Sequence, residues 1–282
     1  MTYLSRIRIN PLRAQSRLLL SNPRVMHGAV MGGIPGAPGG ERVLWRLDAD
    51  NPHRPHLFVL TSSKPDWTHV IEQAGWPDAD GEHAAVRDYA PVLRQIAAGR
   101  EFAFRLTASP VQNAQAPSNP TPAQVARLAA RTDNKRGRGF RLGHRTVAAQ
   151  LGWFLDRTER WGFDIPASRT DPPAPGLDSL ADDLGSRAPG LGRPDPELAP
   201  DARAAPRETN PLREVRITDR QRHSFTKSGG GPHVTFHSAT FEGRLRITDP
   251  KAFTARLVEG IGPSKAYGCG LLTLAPLPAQ KD

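Results

Sequence analysis

Residues 164–212 divide this chain. They hold ten prolines, nine acidic side chains, five arginines and no aromatic residue. Such a segment cannot bury enough apolar surface to offset the entropy of ordering it, so it reads as a long insertion without a core. Whatever folds must be assembled from the residues on either side. The insertion has a net charge of −4, so the rest of the 282-residue chain carries +14 of an overall +10. A body that basic suits a polyanion, most often nucleic acid. A second irregular segment, residues 109–121, is rich in Pro, Gln, Asn and Ala and reads as a linker.

Between these breaks the hydrophobic pattern is legible. Residues 3–9 alternate, with Tyr3, Ser5, Ile7 and Ile9 on one side and Leu4, Arg6 and Arg8 on the other, which predicts a strand. Asn10-Pro11 and Asn22-Pro23 each open a helix, running to about Leu20 and Met31. Residues 42–47 and 57–61 read as strands, 66–74 and 89–98 as helices, and 101–108 as an alternating strand. That order is β-α-β-β-α-β, the split βαβ or ferredoxin-like arrangement. A strong amphipathic helix follows at about 145–161, with Val147, Leu151, Phe154 and Leu155 on one face. Beyond the insertion come a strand at 214–218, a basic turn, a long apolar run at 234–247 with a bend at Glu242-Gly243, a helix at 249–259 and a closing strand at 271–274. The expectation is an α+β protein of two tandem ferredoxin-like domains. These are residues 1–110 and residues 145–282, the second holding the insertion and having a displaced first strand. Residues 111–144 join them as linker and basic loop.

The closing helix and strand are separated by Gly260-Ile-Gly-Pro-Ser-Lys-Ala-Tyr-Gly-Cys-Gly270. Glycine admits positive φ and close approach, and successive N–H groups in such a loop can cradle phosphate. A helix cap and turn explain the glycines equally well. The helix-then-strand order excludes the dinucleotide fingerprint, which opens a helix. The chain's one cysteine, Cys269, lies in this loop, so no internal disulfide can form; the expected compartment is the cytoplasm. No leader peptide is expected at the N-terminus, and no run approaches the roughly 18 apolar residues of a membrane span. His53 with His56, and His233 with His237, have usable metal spacings, but the accompanying carboxylates or thiolates are missing. No metal or cofactor is expected. Cations cluster twice. Lys135, Arg136, Arg138, Arg141 and Arg145 occupy one glycine-broken loop; Arg213, Arg216, Arg220, Arg222 and Lys227 fall on a predicted hairpin. Solvated loops or phosphate-tracking arms account for both.

Seven motifs, in order, give the chain a resemblance to a known family. They are Tyr3-Leu-Ser-Arg-Ile-Arg-Ile-Asn-Pro11, Ser21-Asn-Pro-Arg-Val-Met-His27, Arg42-Val-Leu-Trp-Arg-Leu47, Pro65-Asp-Trp67, Phe102-Ala-Phe-Arg-Leu-Thr-Ala-Ser-Pro110, Ala239-Thr-Phe-Glu-Gly-Arg-Leu-Arg-Ile-Thr-Asp-Pro250 and the Gly260–Gly270 loop. The chain resembles the CasE family, the CRISPR repeat-processing endoribonucleases of type I-E Cascade systems. The resemblance implies metal-independent cleavage of repeat RNA at the base of its hairpin, with retention of the product as a Cascade subunit. It implies that His27 is the catalytic histidine. Some members carry a tyrosine three residues earlier; here that position is Arg24, which cannot act as an acid but can stabilise a phosphorane. The expected RNA contacts are Lys135, Arg136, Arg138, Arg141, Arg216, Arg220, Arg222, Lys227, Lys265 and the loop glycines Gly260, Gly262, Gly268 and Gly270. The loop is expected to pack the second domain on the first. The alternative is a hairpin-RNA scaffold protein without catalysis.

Overall fold

In a computed structural model, which describes residues 1–36, 40–77, 81–117, 120, 122–129, 139–168, 212–226 and 233–277, the alternating segments become antiparallel sheets. The first sheet has the order β2-β3-β1-β4. Its strands are β1 (Tyr3–Arg8), β2 (Leu44–Asp48), β3 (His56–Thr61) and β4 (Ala84–Asp88). Helices α1 (Ala14–Ser21) and α2 (Pro23–Gly32) connect β1 to β2, and α3 (Thr68–Ala74) connects β3 to β4. The period-2 reading of β1 holds, since Ser5, Ile7 and Ile9 are all fully buried. Ile7, Leu57 and Val59 pack with Leu19, Met26, Val30 and Val70 of the helices to form one core. Strand β4 has no alternating apolar pattern to announce it. It is an edge strand, paired only with β1, and half-exposed alanine and valine suffice there. The helix expected at 89–98 shrinks to one turn, α4 (Ala90–Leu93).

The predicted fourth strand of this sheet belongs elsewhere. β5 (Glu101–Ala108) is central in a second sheet, between β11 (Leu272–Ala275) and β10 (His233–Ile247). β9 (Val215–Thr226) and the two-residue β8 (Phe163–Asp164) both pair with β10. β5 therefore lies in the sheet of the second half and not in that of the first. The segment expected to be linker is also ordered in part. β6 (Val111–Ala114) pairs antiparallel with β7 (Phe140–Gly143), and α5 (Pro122–Ala129) lies between them in sequence. α6 (Val147–Thr158) starts at Thr146, whose hydroxyl accepts the Ala149 N–H, and continues into a 3₁₀ turn at Glu159–Trp161. Its inward face is Gln150, Trp153, Phe154 and Thr158, whereas Val147 points out. Phe154 stacks on Phe241 of β10 at 4.7 Å between centroids, and Phe163, Phe253 and Leu257 close this second core. α7 (Pro250–Glu259) and the glycine loop lead back to β11.

The chain divides into two compact units: residues 1–165 with 215–282, and residues 166–214. Within the smaller unit the two chain ends run antiparallel, the Ser168 N–H bonding to the Leu212 carbonyl at 2.6 Å and the Glu214 N–H to Pro166 at 3.0 Å. The expected insertion thus starts later than 164, because Asp164 is in β8 and Ile165 is buried. Its expected lack of order concerns residues 169–211, which lie outside the described residues. Among the described residues no helix is long and apolar enough to cross a membrane.

Inside the larger unit two features hold the sheets together. The first is Arg46 of β2, only 2% exposed. It grips Asp48 bidentately, at 2.7 and 2.9 Å, and its Nη1 donates to the carbonyls of Arg105 (2.9 Å) and Leu271 (3.2 Å) in the second sheet and loop. Arg105 returns the contact by pairing with Asp48 at 3.2 Å, with Asp50, and with Glu242 of its own sheet at 2.7 Å. The second is the glycine loop. Gly260, Gly262, Gly268 and Gly270 all have positive φ, between 76° and 97°. A Cβ at Gly268 would stand 2.8 Å from the Trp45 ring, and one at Gly260 would stand 2.6 Å from Leu44. The expected packing role of the loop is therefore visible as backbone pressed against β2.

Removing Arg46 takes the donor from two interior carbonyls and leaves Asp48 with Arg105 as its remaining cationic partner. Arg46→Ala should lower the unfolding free energy by about 3–5 kcal/mol, read as a shifted urea midpoint at unchanged slope. Gly268→Ala should destabilise by about 2 kcal/mol or more, because strained φ adds to the Trp45 clash. Gly28→Ala, mid-helix with nothing within 4 Å of the added carbon, should instead stabilise by about 0.5–1 kcal/mol. Equal signs for the two glycines in thermal melts would contradict this account.

Candidate functional site

His27 sits on α2 because Asn22 and Pro23 begin a helix there. The Asn22 side chain accepts the Arg24 N–H at 3.0 Å, and Pro23 fills a first-turn position where no N–H is needed. Met26 and Val30 turn inward, which leaves His27 half-buried and Arg24 exposed. Residues three apart lie on one helix face, so the Arg24 charge and the His27 ring share that face. Burial holds the imidazole below the ordinary 6.5, since the charged ring would lose its hydration. The ring is accordingly neutral at pH 7. Its Nδ1 is buried with no hydrogen-bond partner among the described residues.

α2 packs against the 3₁₀ turn Lys265–Tyr267 of the glycine loop. The histidine's helix and the far end of the chain are neighbours. The Lys265 stem crosses two glycines: added Cβ atoms would lie 2.9 Å (Gly260) and 3.3 Å (Gly270) from it. Its ammonium is held below the usual lysine range by burial first, then by the charges of Arg42 and Arg256. Cys269 is fully buried and its thiol is pushed up to about 12, which makes it an inert packing residue.

The expected cations do not form one surface. Lys135, Arg136, Arg138 and Lys227 lie outside the described residues. Arg216, Arg220 and Arg222 all fall on β9 rather than in a turn, but a bulge divides them. Thr240 faces Asp219 and Phe241 faces Ile217, so Thr218 is the extra residue. The expected bend at Glu242-Gly243 is thus found slightly earlier, between Thr240 and Phe241. Before the bulge Arg216 stands opposite Glu242, which it pairs with at 3.4 Å on the face carrying Arg105. After it, Arg220 stands opposite Ala239 and Arg222 opposite His237. Arg220 reaches α6, donating to Gln150 at 2.8 Å and to the Arg145 carbonyl. His237 lies below the usual histidine value, through burial and then through Arg145, Arg222 and Arg220. Arg145, part of the predicted basic loop, completes this cationic group around the His237 ring. Arg141, on β7, borders a different cavity with Lys265.

Between the two sheets runs a cleft of about 510 Å³. It is bordered by Pro23 and Met26 of α2, by Asp48 and Asp50, by the open face of the second sheet at Thr107, Ser238 and Thr240, and by Tyr267. His223 and Tyr267 line the cleft, and Phe236 of β10 joins them: His223 stacks on Phe236 at 4.5 Å, and Phe236 on Tyr267 at 5.7 Å. These rings are far apart in sequence, so no local motif signals them. Among the described residues no cluster of His, Cys, Asp or Glu has the makeup of a metal site.

Residues 2–276 match the family described as "CRISPR associated protein". The chain is 27% identical over 277 residues to the CRISPR-associated endoribonuclease Cse3 of Thermus thermophilus, covering 97% of this chain and 100% of that protein. It is 48% identical over 50 residues to the CRISPR system Cascade subunit CasE of Escherichia coli, 18% of this chain and 25% of that one. Its fold is similar to that of Thermus thermophilus Cse3 bound to an RNA representing a pre-cleavage complex, with a TM-score of 0.63 at 23% identity over 98% of this chain and 99% of the other. By a match that runs almost from end to end, this chain belongs to the CRISPR associated protein family, in its CasE line.

Proposed function

We propose that this protein is an endoribonuclease that cuts CRISPR repeat RNA at the base of its hairpin and stays on the product as a Cascade subunit. The observation that carries this is the likeness to Cse3 across the whole of that protein. We further propose that both halves are ferredoxin-like, with the boundary between α4 and β5 rather than at 110. The order β4-β1-β3-β2 recurs as β11-β5-β10-β9 with helices in equivalent connections, which supports the reading. The expected place of work is the cytoplasm.

In the proposed reaction the 2′-hydroxyl upstream of the cut attacks the adjacent phosphorus. The bond to the 5′-oxygen breaks, leaving a 2′,3′-cyclic phosphate and a 5′-hydroxyl. Such a step needs no metal if a base takes the 2′ proton, the leaving 5′-oxygen gains a proton from the base so charged or from water, and donors hold the phosphorane. His27 is the base, kept neutral by partial burial. Arg24 is a charge donor to the non-bridging oxygens and never a proton source. One observation favours a second reading, a binding scaffold without catalysis: on α2, Arg24 stands where a tyrosine would supply a second proton carrier.

Incubation with the repeat RNA in EDTA separates the two. Wild-type protein should cleave, and His27→Ala should cut about 10²–10⁴-fold more slowly while hairpin binding survives in a filter assay. Binding without cleavage by wild type would establish the scaffold. The pH profile tests the role of His27. Because burial lowers its pKa, kcat/KM should rise with pH along a limb centred below 6.5 and then level off. A limb that falls as pH rises would make His27 the acid instead.

A further inference from the structure

The cavity shared by Arg141 and Lys265 measures about 730 Å³ and is also lined by Arg157, Arg160 and Arg256. Five cationic side chains and no carboxylate border it. They come from β7, from the end of α6 and its 3₁₀ turn, from α7 and from the glycine loop. Two are held in place by the aromatic wall. The Arg157 guanidinium lies over Trp153 at 5.1 Å and donates to the Trp153 carbonyl at 2.9 Å; Arg160 lies over Trp161 at 5.8 Å. The nearby carboxylates stand outside the lining: Glu259 pairs with Arg256 at 3.1 Å in a pair open to solvent and also acts on Lys265, and Asp156 acts on Arg157. Burial and then Arg160 press the Arg157 pKa down, and Arg256 contributes to the same effect at Lys265. Like charges are held together at a concave surface that no carboxylate lines, and planar guanidinium forks on rings are the form that suits phosphate.

A small anion satisfies that charge locally, but the cavity has a counterpart. At the other end of α6 stand Arg145, Arg220 and Arg222 around His237. α6 has 12 residues, so the two groups are about 18 Å apart at 1.5 Å per residue. No single phosphate or nucleotide spans that distance. A folded RNA, with phosphates all along its length, does. We infer that the Arg157–Arg160–Arg256 cavity is a second phosphate grip, and that one RNA engages it together with the Arg145–Arg220–Arg222 group, α6 setting the distance between them. The inference rests on the RNA-processing reading and assigns RNA contacts to three arginines outside the expected set.

The test uses the full chain and the hairpin of the CRISPR repeat from the same genome. Affinity is measured against KCl concentration for wild type and for Arg157→Gln/Arg160→Gln/Arg256→Gln. Each lost phosphate contact on a duplex should reduce the log–log slope by about 0.9, so a fall of about 2–3 is expected. Single-turnover cleavage at saturating RNA should stay within about threefold of wild type. The triple variant removes two cation–ring contacts, so Asn113→Asp, which puts a carboxylate into the same cavity without touching an arginine, carries the test if thermal melts show misfolding. It should weaken hairpin binding by about tenfold at low salt. Unchanged salt slopes and unchanged affinity in both variants would overturn the grip. Tight titration of inorganic phosphate or ATP, with RNA slopes unaltered, would overturn it in favour of a free-anion site. A wild type that binds but does not cut, with the slope still falling, would overturn the nuclease reading and leave the grip standing.

Discussion

The Arg46 guanidinium is the tie on which the two-sheet arrangement depends. A buried charge is expensive unless its donors are used, and here the first sheet's own Asp48 and two carbonyls of the second sheet and loop use four of the five. Apolar contact alone between the sheets is small: Leu44, Leu60, Tyr89 and Leu271 make a separate minor cluster. The polar tie fixes direction and register in a way that this cluster cannot. It also leaves the remaining faces apart, and that gap is the cleft between α2 and the second sheet.

The glycine loop completes the same junction from the other side. Positive φ at four glycines is not a matter of flexibility, since the backbone is pressed on Leu44, Trp45 and Trp153. Nor is the loop only a turn. Its lysine is laid over two of the glycines, so an added methyl at either would move the one cation the loop contributes.

Much of this was legible in the sequence, and the failures have physical causes. Alternation identified β1 and β5, and the Asn-Pro pair identified the start of α2. Alternation reports which face of a strand is buried but not which strand lies beside it, so β5 was assigned to the wrong sheet. β4 escaped because an edge strand needs no apolar run. On α6, Val147 has the spacing for the core, but the helix is rotated to bury Trp153 and Phe154, the larger rings. The basic residues of β9 read as one group because a bulge has no reliable sequence mark. One extra residue at Thr218 sends Arg216 to one face and Arg220 and Arg222 to the other. His27 was picked out by resemblance, and its buried Nδ1 and lowered pKa belong to packing that no local pattern encodes. Of the cavity arginines, Arg157, Arg160 and Arg256 are spread over three elements and had no signal at all, whereas Arg141 lay in the predicted basic loop.

The pairing of β5 with β10 also bears on how the protein is made. Ala108 and Ala239 are partners roughly 130 residues apart, so β5 leaves the ribosome long before the strand that completes it. The unit at 166–214 lies inside that interval and lengthens the loop to be closed by a little over half. Closure entropy grows only as the logarithm of length, so the extra segment costs about 0.4 kcal/mol in the chain-entropy estimate. Evolution can therefore vary what hangs between β8 and β9 almost without thermodynamic consequence. The waiting time of an apolar central strand, and with it the exposure to misassembly, grows in direct proportion.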